Sequence, residues 1–80
     1  MEEVTVNIFG FEMKMKHNAP KERFDRVVSM VDEMMKKTQE RFKDLPVSKV
    51  AILVSLELAN SLEELKEGID GIIEKIEKEI

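Results

Sequence analysis

From Pro46 onward the chain reads PVSKVAILVSLELANSLEELKEGIDGIIEKIEKEI, a stretch whose periodicity predicts one helix of roughly 30 residues, about 45 Å long at ~1.5 Å per residue. It changes character halfway. In the first half Val50, Ile52, Leu53, Val54 and Leu56 make the helix apolar nearly all round, so this half is expected to be buried on every side. From Asn60 onward apolar residues keep to a heptad. Leu62, Ile69 and Ile76 fall at a, Leu58, Leu65 and Ile72 at d, and Ile73 and Ile80 at e. Positions b, c and f carry Glu63, Glu64, Glu67, Asp70, Glu74 and Glu77, which is a coiled-coil seam. Nothing else in 80 residues can cover such a helix. The covering surface is therefore expected to be another copy of the chain, with Val50, Leu53, Val54, Leu58, Leu62, Leu65, Ile69, Ile72, Ile73 and Ile76 as the oligomerisation residues. The first half is expected to make a homodimer. The second half, broadened by isoleucine at e, is expected to join dimers in pairs.

Length and composition point the same way. Eighty residues make one domain with a small core. With no cysteine there is no disulfide and no thiolate metal site, and one histidine excludes most zinc arrangements. Met1-Glu2-Glu3 lacks the features of a signal peptide. The longest oily run, Val50 to Leu56, is far short of the ~20 residues that span a bilayer, so a cytoplasmic protein without membrane contact is expected. Net charge is -4, but Val4 to Lys49 holds ten basic and seven acidic residues while Ala51 to Ile80 holds three and eight. A mildly basic head without a concentrated basic stripe argues against nucleic acid and suits an acidic protein partner.

At the N-terminus Val4, Val6 and Ile8 alternate with polar residues up to Phe9-Gly10. Phe11, Met13 and Met15 then alternate with Glu12, Lys14 and Lys16. This predicts a β-hairpin with Phe9 and Gly10 as its loop. Ile8 lies opposite Phe11, Val6 opposite Met13 and Val4 opposite Met15, which puts all six apolar side chains on one face. A lone hairpin is marginal in water, so a helix beneath it and a further strand beside it are expected. Asn18 is expected to cap a helix of about 25 residues, with Pro20 in its first turn. Phe24, Val27, Val28, Val31, Met34, Met35, Thr38, Phe42 and Leu45 form its apolar stripe. Glu22–Arg26, Asp32–Lys36 and Glu33–Lys37 are i, i+4 pairs in the favourable order. Leu45-Pro46 ends the helix, and Ser48 caps the next. The fold class is α+β: a hairpin packed on an amphipathic helix, then a long helix running into a C-terminal coiled coil. Residues 1–58 form the head with the dimer core, and residues 59–80 its extension.

Candidate chemistry is sparse. His17 has no cysteine or histidine partner, the serines match no nucleophile motif, and Gly10, Gly68 and Gly71 have neither P-loop nor dinucleotide spacing. Met13, Met15, Met34 and Met35 are expected to fill gaps in the core. No catalytic, cofactor or metal residue is expected. One enzyme alternative comes from Leu65 to Ile72, which is similar to the opening helix of the all-helical chorismate mutases; Lys66 stands at the position where that family carries an arginine. A helical oligomerisation module for another partner is the other alternative.

Val4-Thr5-Val6-Asn7-Ile8-Phe9-Gly10, the helix containing Val31-Asp32-Glu33, and Val50 to Leu62 (VAILVSLELANSL) together resemble the ZapA family of bacterial cell-division proteins, in order and spacing over nearly the whole chain. The resemblance implies a small α/β head and a long helix that dimerises and pairs dimers into antiparallel tetramers. It also implies binding to FtsZ, the tubulin-like GTPase of the division ring, whose protofilaments the family cross-links at mid-cell. Many members carry a basic residue after the hairpin glycine, where this chain has Phe11. The basic head positions that remain for an FtsZ contact are Lys14, Lys16, Lys36, Lys37, Arg41 and Lys43.

Overall fold

The computed structural model describes residues 2–79, with side-chain surroundings given for residues 3–71. Two strands, β1 (Glu2–Ile8) and β2 (Phe11–His17), are followed by α1 (Lys21–Arg41) and α2 (Val47–Glu79). The strands pair antiparallel with Val4 opposite Met15, Val6 opposite Met13 and Ile8 opposite Phe11. This is the register that the alternation predicts. Both loop residues hold positive φ, Phe9 at 53° and Gly10 at 83°, as a two-residue turn matching the strand twist requires. Glycine adopts that conformation freely; phenylalanine does not. Phe9 is held there by its surroundings: its N–H donates to Asp32 Oδ1 at 2.7 Å, and its side chain packs against the core.

That core is small. Met35 of α1 meets Val50 and Val54 of α2, and Ile8, Phe9, Val31, Met34, Leu45, Ala51 and Leu58 close around them. Val50 is wholly buried. β1 lies over α1 with Val6 buried, but β2 overhangs. Its apolar residues Phe11, Met13 and Met15 are 55, 46 and 40% exposed. α1 packs against β1, no helix backbone comes as close to β2, and no third strand joins the sheet among the described residues. Met13 and Met15 are therefore not core residues within the chain; of the four methionines expected there, Met35 is buried and Met34 half-buried.

The helix ends differ from the sequence expectation. α1 begins after Pro20, which occupies the N-cap position without a side-chain hydrogen bond, so Asn18 does not cap it. It closes at Arg41, 21 residues long. Phe42 and Leu45 lie in the connecting turn, whose carbonyls at Phe42, Lys43 and Leu45 accept hydrogen bonds from Gln39 Nε2 at 3.3, 3.2 and 3.3 Å. Pro46 opens α2: its carbonyl accepts from Lys49 and Val50 N–H, and Ser48 sits inside the first turn rather than capping it. α2 then runs for 33 residues. The radius of gyration is 17.0 Å, against about 12 Å for a globular chain of this length. The far half of α2 extends away from the head.

Candidate functional site

Along α2 the apolar residues divide into two sets. Val50 and Val54 face α1 and spend their surface within the chain, and Leu58 is half-buried beside them. Ile52, Leu53 and Leu56, on the helix's other sides, are exposed, so the oily first half is not enclosed by its own chain. Beyond Leu58 the a and d residues Leu62, Leu65 and Ile69 are 65, 63 and 50% exposed and share one stripe. The expected seam residues Ile72, Ile73 and Ile76 lie outside the residues whose side chains are described, and Ile80 outside the described residues altogether. Gly68 and Gly71 have nothing within 4 Å of where a Cβ would stand, so no close approach within the chain requires them. Lys66, which carries the chorismate-mutase likeness, sits on this exposed stretch of helix.

Two apolar grooves adjoin these surfaces. One, of about 420 Å³, lies at the α1–α2 corner and is lined by Phe42, Leu45, Lys49, Ile52 and Leu53. The other, of about 300 Å³, lies under the overhanging strand between Phe11, Met13 and Ile8 on one side and Met35 and Val47 on the other.

The basic residues of the head fall into two groups. Lys14 and Lys16 are exposed on β2, and strand alternation turns them to the face opposite Met13 and Met15, away from α1. Lys36, Lys37, Arg41 and Lys43 lie at the far end of α1 and in its turn. Lys36 is committed to Asp32 at 2.9 Å. The Lys36 ammonium, with the Phe9 N–H, holds the Asp32 carboxyl below its ordinary value, and the Asp32 carboxylate in turn raises Lys36. The Arg41 guanidinium lies over the Phe42 ring, 5.4 Å from its centroid. A second i, i+4 pair, Lys21–Asp25 at 2.8 Å, runs in the reverse order, base before acid.

His17 stacks on Phe24, ring centroids 3.8 Å apart and ring planes nearly parallel. Its Nδ1 is buried with no hydrogen-bond partner. A catalytic imidazole needs a group that orients one nitrogen so that the other can act, and this stacking supplies none. Among the described residues no group of three or more His, Asp or Glu side chains could hold a metal, and no helix is long and apolar enough to cross a membrane.

A hairpin, one covering helix and a long helix with an open apolar stripe, in that order, agree with what comparison of the chain with known families finds. Residues 4–80 match the family model described as cell division protein ZapA. The chain belongs to the ZapA family. A cell division protein ZapA from Geobacillus sp. (strain WCH70) is 30% identical over 76 residues, covering 95% of this chain and 87% of that protein. No solved structure matches the chain. Membership of the ZapA family makes this a cell-division protein. The exposed features that the sequence or the structure singles out are the α2 stripe, the overhanging β2 row and the two basic groups. Sequence periodicity identified the stripe. Alternation puts Met13 and Met15 on the core-facing side of β2 but does not say whether anything covers them.

Proposed function

We propose that the protein is a non-enzymatic, self-associating division factor that binds FtsZ and cross-links its protofilaments at the mid-cell ring. The observation that carries this reading is the stripe Leu62, Leu65 and Ile69, left exposed on a helix that reaches well beyond its own core. Burying it takes another such helix, and helices joined antiparallel along it carry their heads to opposite ends, which is the geometry a cross-linker needs. Residues 1–58 act as the head and 59–80 as the joining extension. The first half of α2 makes a homodimer through Leu53 and the exposed residues around it, and the second half makes a dimer of dimers. The head binds FtsZ through Lys14 and Lys16 on the sheet, with Lys37, Arg41 and Lys43 contributing from the end of α1.

The test is co-sedimentation with FtsZ polymers. Binding should weaken as salt rises, because exposed charges are screened over about 8 Å at physiological ionic strength. Replacing Lys14 and Lys16 together by glutamate should lower the bound fraction without unfolding the head, whose core these side chains do not enter. Undiminished co-sedimentation would move the contact elsewhere, and absence of binding by the unaltered protein would end the FtsZ reading.

A further inference from the structure

Strand β2 carries a pattern that neither the fold nor the proposed role explains. Because the hairpin loop has two residues and Ile8 opposes Phe11, the pairs Ile8–Phe11, Val6–Met13 and Val4–Met15 exchange hydrogen bonds inside the hairpin. Glu12, Lys14 and Lys16 therefore turn their backbone N–H and C=O groups outward. The sheet has two strands, so among the described residues this edge meets no neighbouring strand. Such an edge is a template for another strand. Beside it stands the exposed row Phe11, Met13 and Met15, above an open apolar groove bounded by Ile8, Met35 and Val47.

The segment Phe11-Glu12-Met13-Lys14-Met15 is self-complementary when laid antiparallel on a second copy about Met13. On the apolar face Met13 then opposes Met13, and Phe11 opposes Met15, a sulfur–aromatic contact. On the polar face Glu12 opposes Lys14 twice, once on each side of the two-fold axis, and opposite charges facing across strands favour pairing. Of the neighbouring registers that also bring outward-turned residues together, the one about Glu12 sets Glu12 against itself, and the one about Lys14 pairs Glu12 with Lys16 but sets Lys14 against itself, so the register about Met13 pairs opposite charges with no like pair. Charge complementarity thus selects both the occupant, a second copy, and the register. We propose that two copies join through β2, antiparallel about Met13, into a four-stranded sheet of order β1–β2–β2–β1. The contact rests on the self-association read from α2 and deepens it, adding a second junction within the head.

The chain has no cysteine, so single cysteines report this contact without background. Residues 13 of the two copies form a non-hydrogen-bonded pair with Cα atoms about 4.5 Å apart, within disulfide reach. Met13→Cys should cross-link the chain to itself under mild oxidation. Phe11→Cys and Met15→Cys should each cross-link poorly alone but efficiently when mixed. In the Met13→Cys background, Glu12→Lys or Lys14→Glu should slow cross-linking about tenfold, and the double exchange should restore it. Circular dichroism on each variant confirms that the head is folded. No Met13→Cys disulfide in a folded protein, equal cross-linking from all three positions, or failure of the double exchange to restore it would overturn the proposal. Light scattering on the unaltered chain separates the two contacts. A dimer without the residue 13 cross-link keeps the α2 reading and removes this one; a monomer that cross-links only at residue 13 on concentration does the reverse.

Discussion

Phe9 sits where backbone sterics favour glycine or asparagine, at φ 53°. The conformation persists because two interactions oppose its cost: the hydrogen bond from Phe9 N–H to Asp32 and the packing of its side chain on the core. Replacement by alanine keeps the strain and loses the ring, costing about 2 kcal/mol of stability by the area removed from burial. Replacement by glycine loses the ring but relieves about 1 kcal/mol of left-handed strain. Chemical denaturation should therefore find Phe9→Gly more stable than Phe9→Ala, the reverse of the usual order within a strand or helix. Asp32 links the same loop to α1. Its carboxyl is held below its ordinary value by Lys36 first and by the Phe9 N–H second. A carboxyl lowered in the folded state contributes stability that is present above its unfolded value and is lost as pH falls through the folded one. Lys36, raised by the same pair, contributes below its unfolded value and loses that contribution at strongly alkaline pH. Asp32→Asn should accordingly lower stability at neutral pH and flatten its decline below about pH 4, which denaturation midpoints measured from pH 7 to pH 3 would reveal.

At the level of elements, one side chain braces the corner between α1 and α2 across several residues. Gln39 Nε2 reaches the carbonyls of Phe42, Lys43 and Leu45 in the connecting turn, adding to the backbone bond from Leu45 N–H to the Phe42 carbonyl. Gln39→Ala should cost about 1 kcal/mol. Gln39→Glu should cost more, since a carboxylate brings no donor and sets negative charge against those carbonyls at the negative end of the helix. Comparing the two variants by thermal melting checks the order. This corner also marks the limit of what the sequence disclosed. The three-and-four spacing runs on through Phe42 and Leu45, so they read as helical, yet the Leu45 N–H bond to Phe42 and the Gln39 bonds close the chain into a turn directly after Arg41, ahead of Pro46. The hairpin register was legible because one misplaced residue would turn every apolar side chain to the other face. The strain at Phe9 was not, because glycine at the second loop position also suits a type II turn, in which the first residue keeps a negative φ. Pro20 displaced Asn18 as the N-cap residue, a choice that local propensity leaves open within a residue or two.

For the whole molecule, the decisive fact is that the core ends near Leu58 while α2 continues to Glu79. The heptad was legible in the sequence, whereas the split of the oily first half into a face toward α1 and faces toward solvent was not. Periodicity cannot say which of several apolar sides a single partner helix will cover. That split separates two kinds of substitution. Val54 belongs to the chain's own core, so Val54→Ala should lower stability by about 2 kcal/mol, for two buried methyl groups and the space they leave, at every protein concentration. Leu65 is exposed within the chain, so Leu65→Lys removes nothing that holds the head together. Where copies associate, the same lysine would enter the seam between helices, and an unpaired buried charge there costs enough to open a short coiled coil. Association stabilises the folded form by mass action, which makes the midpoint of unfolding rise with protein concentration. The unaltered chain and Val54→Ala should both show that rise between micromolar and hundred-micromolar protein, displaced from one another by a constant amount. Leu65→Lys should show a smaller rise, with a lower mass by light scattering and an unchanged circular dichroism signal from the head. A Leu65→Lys chain of full mass would mean that the stripe is solvated in the assembly, and that the copies join through the first half of α2 or through the head.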